Sequence, residues 1–182
     1  MINEEKRLGF KLIWKSYAPV KVIANAWRVL WDRLPTKTNL RRRKFLDTNS
    51  NMKCVLCGVN DESGKHFFFE CSISYKVWME CFKWLGLSTV MQSNSFSNLI
   101  RNSRLLRGVQ GRKVVVTLWS CIVWRLWKSR NDVIFNDADF CLDVVVEDIK
   151  ARLWSWCFVK KIGCSSFSFR DWLVNPRMVL DC

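Results

Sequence analysis

Several residue types and patterns are scarce in this chain. Only 3 prolines and 7 glycines occur in 182 residues, which excludes collagen-like and low-complexity classes. No apolar run approaches the ~20 residues that a membrane span needs. The longest uncharged apolar stretch is Val114 to Trp124. The opening residues, MINEEKRLGF, lack the apolar core of a secretory signal, so an intracellular protein, nuclear or cytoplasmic, is expected. There is one histidine, no Asp-Asp pair and no Gly-rich phosphate loop. A Ser/His/Asp set and a polymerase-type pair of metal-binding aspartates are therefore not expected, and neither is catalysis. Acidic residues are few as well: 16, against 30 Lys and Arg.

What remains is apolar and basic. Hydrophobic residues make up 49% of the chain, with 11 Trp and 12 Phe, enough to bury a core without disulfides. Nine cysteines in an intracellular chain point to thiols or a metal, and an odd number cannot all pair within one chain. The net charge of +14 favours polyanions, nucleic acid first and an anionic surface second. Residues 1–53 carry 13 basic and 4 acidic side chains, so most of the excess sits in the first third.

Helical periodicity dominates. Ile23, Ala26, Trp27, Leu30, Trp31 and Leu34 share one face of a helix expected over Pro19 to Leu34. Pro35 ends it, and Thr36 suits the N-cap of a second short helix. That helix is expected to turn Leu40 and Phe45 inward and Arg41, Arg42, Arg43 and Lys44 outward. Asp47 to Lys53 reads as a loop. Further helices are expected over Ile73 to Leu85 with Gly86 as its cap, Phe96 to Leu106, Val114 to Phe135 and Phe140 to Val159, with a last turn over Ser165 to Leu173. Gly108 and Gly111 mark a break. The expected fold is mostly α, with a small Cys/His centre between helical hairpins and a C-terminal helical segment.

Cys54, Cys57, His66 and Cys71 form C-x2-C-x8-H-x4-C. A C-x2-C turn lets two thiolates converge on one ion, and Gly58 permits the backbone to fold back so that its N–H groups face the sulfurs. His66 and Cys71 close the tetrahedron that zinc prefers. Four protein donors leave no open position, so one structural Zn2+ is expected. A redox role for the C-x2-C pair would need a strand before it and a helix after it. A polar loop precedes Cys54, and the acidic stretch Asn60 to Lys65 follows the pair. The carboxylates Asp143, Glu147 and Asp148 read as the solvated face of a helix. The other cysteines, including Cys81, Cys121, Cys141, Cys157, Cys164 and Cys182, lack ligand spacing.

These donors stand in a longer pattern. Ala18-Pro19-Val20-Lys21-Val22, Ala26-Trp27-Arg28-Val29-Leu30, the run LPTKTNL over Leu34 to Leu40 and Arg42-Arg43 precede the cysteines in order, and Trp78 follows Cys71 by seven residues. The pattern resembles the reverse-transcriptase-like zinc-binding domain near the C-terminal end of plant non-LTR (LINE-type) retrotransposon polyproteins. The resemblance covers about Phe10 to Leu85, and Trp124 to Phe135 and Phe169 to Pro176 look like the segments after that domain. It implies a domain over residues 10–86, a linker and short helix over 87–111 and a C-terminal helical region over 112–182. It also implies that the family's zinc ligands map onto Cys54, Cys57, His66 and Cys71, and that Met1 opens a truncated frame of such a polyprotein.

The basic residues are the second candidate site. Arg28, Lys37, Arg41, Arg42, Arg43, Lys44 and Lys53 are expected to meet RNA or DNA phosphates. The same run fits a nuclear-localisation-like or merely solvated surface, and the paired helices fit any helical hairpin as readily as a helix-turn-helix. The leading expectation is a zinc-stabilised, non-catalytic nucleic-acid-binding module. The alternatives are a scaffold that docks a reverse transcriptase domain or another partner chain, and a non-functional relic. No membrane and no small-molecule substrate are expected.

Overall fold

A computed structural model describes residues 4–47, 49–158 and 167–180. Val159, Cys164, Ser165 and Cys182, which entered the expectations above, lie outside the described residues. Among the described residues the secondary structure is helical apart from one antiparallel bridge, Lys53 to Asp61. The helices are α1 (Glu4–Trp14), α2 (Val20–Leu30), α3 (Lys37–Arg42), α4 (Ser72–Trp84), α5 (Ser95–Asn102), α6 (Gly108–Phe135), α7 (Leu142–Phe158), α8 (Phe169–Val174) and α9 (Pro176–Leu180). A π-helical turn, His66–Glu70, lies between α3 and α4. No helix among the described residues is long and apolar enough to cross a membrane.

The middle of α6 is the axis of the molecule. Val114 to Val123 are buried without interruption, and α1, α2, α4, α5 and α7 pack around this helix. A helix enclosed on all sides is apolar all round, which is why its sequence shows no narrow stripe. It also begins earlier than its β-branched triplet suggests, at Gly108. Gly111 lies inside the helix, where an added Cβ would stand 2.8 Å from the Leu106 side chain. The expected break is thus a close approach of α6 to the preceding turn.

Helix α1 has no counterpart in the sequence reading. Gly9 argues against a helix by propensity, yet its lack of a side chain is what lets α1 meet α5. A Cβ there would lie 2.7 Å from the Phe96 ring. Phe10, Trp31 and Phe96 then form an aromatic triad with centroids 5.5 to 6.0 Å apart.

Helix α2 ends at Leu30, four residues short of the expected Leu34. Asp32 takes a left-handed conformation (φ 48°), and the chain turns there. Asn39 holds this turn from inside: its buried amide donates to the Asp32 and Leu34 carbonyls, both at 2.9 Å, and to Asp32 Oδ1 at 3.0 Å. Thr36 caps α3, accepting from the Asn39 amide. The run LPTKTNL is therefore a turn and its fastenings.

The C-terminal segment docks onto α4 and α7. Trp172 is fully buried and donates to the Lys150 carbonyl at 3.1 Å, and Trp84 donates to the Leu173 carbonyl at 3.0 Å. Arg177 donates to the carbonyls of Leu85 and Gly86, at 3.3 and 2.9 Å, at the end of α4. Gly86 supplies the positive φ (64°) that closes this helix. Apart from Met52, the buried apolar residues among the described residues form one cluster running from Leu12 to Trp172.

Candidate metal centre and basic face

The centre is built from a turn and a widened helical turn. Cys54 and Cys57 sit on a knuckle in which the Gly58 amide donates to the Cys54 carbonyl at 2.8 Å. Gly58 has φ 68°, and the amides of Leu56 and Cys57 point at the Cys54 sulfur. His66 and Cys71 bracket the π turn, and the Cys71 amide donates to the His66 carbonyl at 2.7 Å. The five-residue step of H-x4-C is the π-helical hydrogen-bond step, so this spacing brings the two ligands' backbones into direct contact.

The π turn also solves a packing problem. Phe67, Phe68 and Phe69 are all buried. Phe67 and Phe68 meet Trp127, and Phe69 lies against Trp78 and Trp119. Trp78 Nε1 donates to the Phe68 carbonyl at 2.7 Å, which satisfies a backbone group beside the turn. This explains the Trp that follows Cys71 by seven residues.

The four donor atoms lie within 4.8 Å of one another. Cys54 Sγ and Cys71 Sγ are 4.0 Å apart, and Cys57 Sγ and His66 Nε2 are 3.3 Å apart. Zn–S bonds of ~2.3 Å in a tetrahedron require an S···S edge of about 3.8 Å. The cluster has the size and the chemistry for zinc. Cys54, His66 and Cys71 are buried and Cys57 is half-buried, and four protein donors are the number that a structural zinc site takes.

Electrostatics prepare the thiols. The Cys54 S–H donates to the Cys71 sulfur, which holds Cys71 down to about 5 and pushes Cys54 well above its ordinary value. The amides of Ser74 and Ile73, at the start of α4, also favour the Cys71 thiolate. A metal would take the place of the shared proton. By contrast, burial pushes the Cys81, Cys121 and Cys157 thiols up.

The knuckle is clamped to its surroundings by a residue that the sequence reading did not single out. Glu62 ends the knuckle and is completely buried. Its Oε1 accepts from Arg130 Nη2 on α6 at 2.8 Å and from the Lys37 amide at 3.2 Å. Its carbonyl accepts from the Thr38 amide at 3.0 Å. Arg130 stacks over Trp127, 4.7 Å from the ring centroid. The available signal was the pairing of an acidic stretch after C-x2-C with the WRLWKSRND segment. Neither half identifies the other without the fold.

The expected nucleic-acid residues are distributed as follows. Arg41 and Arg42 end α3, Arg43 caps it, and Lys44 takes a left-handed conformation (φ 63°). The Lys44 and Phe45 amides donate to the Arg41 and Leu40 carbonyls, both at 2.9 Å, closing the helix with a Schellman turn. All four basic residues are exposed. Phe45 is not turned inward as expected: it is 75% exposed, because the turn at Lys44 takes it out of helical register. Leu40 is half-buried. Lys37 Nζ donates to the Lys53 carbonyl at 2.7 Å, which joins those two positions, and Lys53 pairs with Asp61 at 3.6 Å. Arg28 is exposed near the end of α2. Two of the α7 carboxylates are engaged in ion pairs, Asp148 with Arg125 and Arg152 and Glu147 with Lys150.

No curated protein and no solved structure matches the chain. Residues 1–78 match the family model for zinc-binding in reverse transcriptase, a family named for binding the metal and not for catalysis. The matched span contains Cys54, Cys57, His66 and Cys71, and the Cys3His cluster is consistent with one structural zinc. Over residues 1–78, then, this chain is similar to the zinc-binding domain of reverse transcriptase.

Proposed function

We propose that the chain is a non-catalytic, zinc-stabilised nucleic-acid-binding module, derived from the C-terminal part of a plant-type non-LTR retrotransposon reverse transcriptase polyprotein. The observation that carries this reading is the direct fastening of the metal knuckle to the helix bearing the basic run. Three hydrogen bonds from Lys37 and Thr38 reach Glu62 and Lys53 on the knuckle. Zinc thereby orders the start of α3, and α3 in turn presents Arg41, Arg42, Arg43 and Lys44 to solvent. Lys37, Lys53 and Arg28 extend the cationic area. Phe45, exposed directly after the run, offers a ring on which an unpaired base can stack.

The test has two parts. Metal analysis of the purified chain should return one zinc per molecule, lost in Cys57→Ser and His66→Ala. Affinity for RNA or DNA should fall linearly in a log–log plot against salt, with a slope implying about 3–6 phosphate contacts. A folded, metal-free protein refutes the first part. Undetectable or salt-independent binding at low ionic strength refutes the second.

A further inference from the structure

A second cationic surface lies away from the run at the end of α3. On α1, Leu8, Lys11 and Leu12 stand at i, i+3 and i+4, one helical face, and Lys15 follows in the turn that closes the helix. On α6, Val109, Arg112 and Lys113 repeat the same spacing, and Val116 continues it at i+7. The two faces meet in a groove of about 260 Å3. Four cations line it, and no acidic residue does. Among the described residues, none of the four is in an ion pair. Lys113 is set by the ring of Tyr17, 5.3 Å from its centroid, and the Tyr17 amide is tied to Thr117 on α6 at 2.9 Å. Elsewhere several cations of this protein do have acidic partners: Arg130 has Glu62, Arg125 and Arg152 have Asp148, and Lys53 has Asp61.

We infer that this groove binds the backbone of a single-stranded nucleic acid. Four uncompensated cations in one groove repel each other, and a polyanion relieves that repulsion while releasing its own counterions. The floor and rim are aliphatic, with Val109 and Leu8 exposed. A splayed strand can lay sugars and bases on such a surface, whereas a duplex presents only phosphates there. The groove is also smaller than the ~300–1,000 Å3 of ordinary ligand pockets, a size that suits one nucleotide unit at a time. The inference rests on the nucleic-acid reading above but uses none of its residues.

The test is fluorescence anisotropy on the full chain with labelled oligouridylate and, in parallel, a labelled duplex. Lys15 and Arg112 are both exposed, so Lys15→Glu/Arg112→Glu should fold with a melting temperature no lower than the parent's. For a single strand each phosphate contact contributes a slope of about 0.7, so losing two contacts at ~0.1 M salt weakens binding by about 25-fold and makes the slope shallower by about 1.4. Lys15→Gln/Arg112→Gln removes the charges without reversal and should show the same slope change. Unchanged oligouridylate binding in both variants, with binding lost in Arg41→Glu/Arg42→Glu, overturns the groove and leaves the proposed function standing. A wild-type chain that binds neither probe overturns both. Equal losses on duplex and single strand overturn the single-strand assignment. Groove-dependent capture of polyglutamate without oligouridylate binding overturns it in favour of an acidic protein partner.

Discussion

Asn39 shows how much one side chain can organise. It is buried and donates to the Asp32 carbonyl, and it shares the Leu34 carbonyl with the Thr36 amide, inside the α2–α3 turn. Asn39→Ala should cost about 1–3 kcal/mol in urea unfolding, the usual penalty for buried polar groups left unsatisfied. Lys44 is the opposite case. It occupies a left-handed position that glycine takes more easily, at a cost of about 1 kcal/mol. Lys44→Gly should therefore raise stability by up to about that amount while lowering nucleic-acid affinity, two effects of opposite sign that separate binding from folding. The thiols divide by environment. Cys141 is exposed, whereas Cys81, Cys121 and Cys157 are buried and their thiolates disfavoured. Maleimide labelling of the native protein, mapped by mass spectrometry, should modify Cys141 and spare those three; labelling of the three at the rate of Cys141 would contradict the packing described.

At the scale of elements, the metal centre joins a loop knuckle to a π-helical turn. The Cys54–Cys57 knuckle meets the core through Cys54, Leu56 and Cys57, while the π turn carries three buried phenylalanines and leans on Trp78, Trp119 and Trp127. Structural zinc contributes on the order of 10 kcal/mol to such sites. Chelation should therefore loosen residues 52–66 first, and the start of α3 with them through Glu62. The middle of α6 should keep its protection in hydrogen exchange. Uniform loss across the molecule, or no loss at all, would show that the knuckle is not the element that zinc holds.

For the whole molecule, the buried ion pair between Glu62 and Arg130 links the metal knuckle to the central helix across 68 positions of sequence. Removing one partner strands the other in the interior. Arg130→Met should cost about 3–5 kcal/mol, and the double variant Glu62→Met/Arg130→Met should recover much of it, since two apolar side chains of similar volume leave no charge unpaired. A single variant as stable as the parent would show that this pair contributes nothing to folding. The core is continuous as well: α6 packs on α2 and α7 packs on α4. A fragment ending at Gly86 should accordingly expose those faces of α2 and α4, and aggregate or remain molten even with zinc added.

The donor set was legible without coordinates, because ligand identity and spacing are themselves the chemistry of the site: Cys54, Cys57, His66 and Cys71 need only a short chain to converge. Helices α2, α4 and α7 were legible because one face is wet and one is dry, which is the condition for periodicity. Three features were decided only by tertiary structure. Helix α1 forms around a glycine because another helix must come close there, and propensity cannot see a neighbour. Phe45 faces solvent because the helix before it closes in a left-handed turn, which no hydrophobic pattern encodes. The partnership of Glu62 with Arg130, and the meeting of the cationic faces of α1 and α6, depend on segments distant in sequence. Local patterning reports what each stretch of chain prefers; burial of the shared core determines which stretches stand opposite one another.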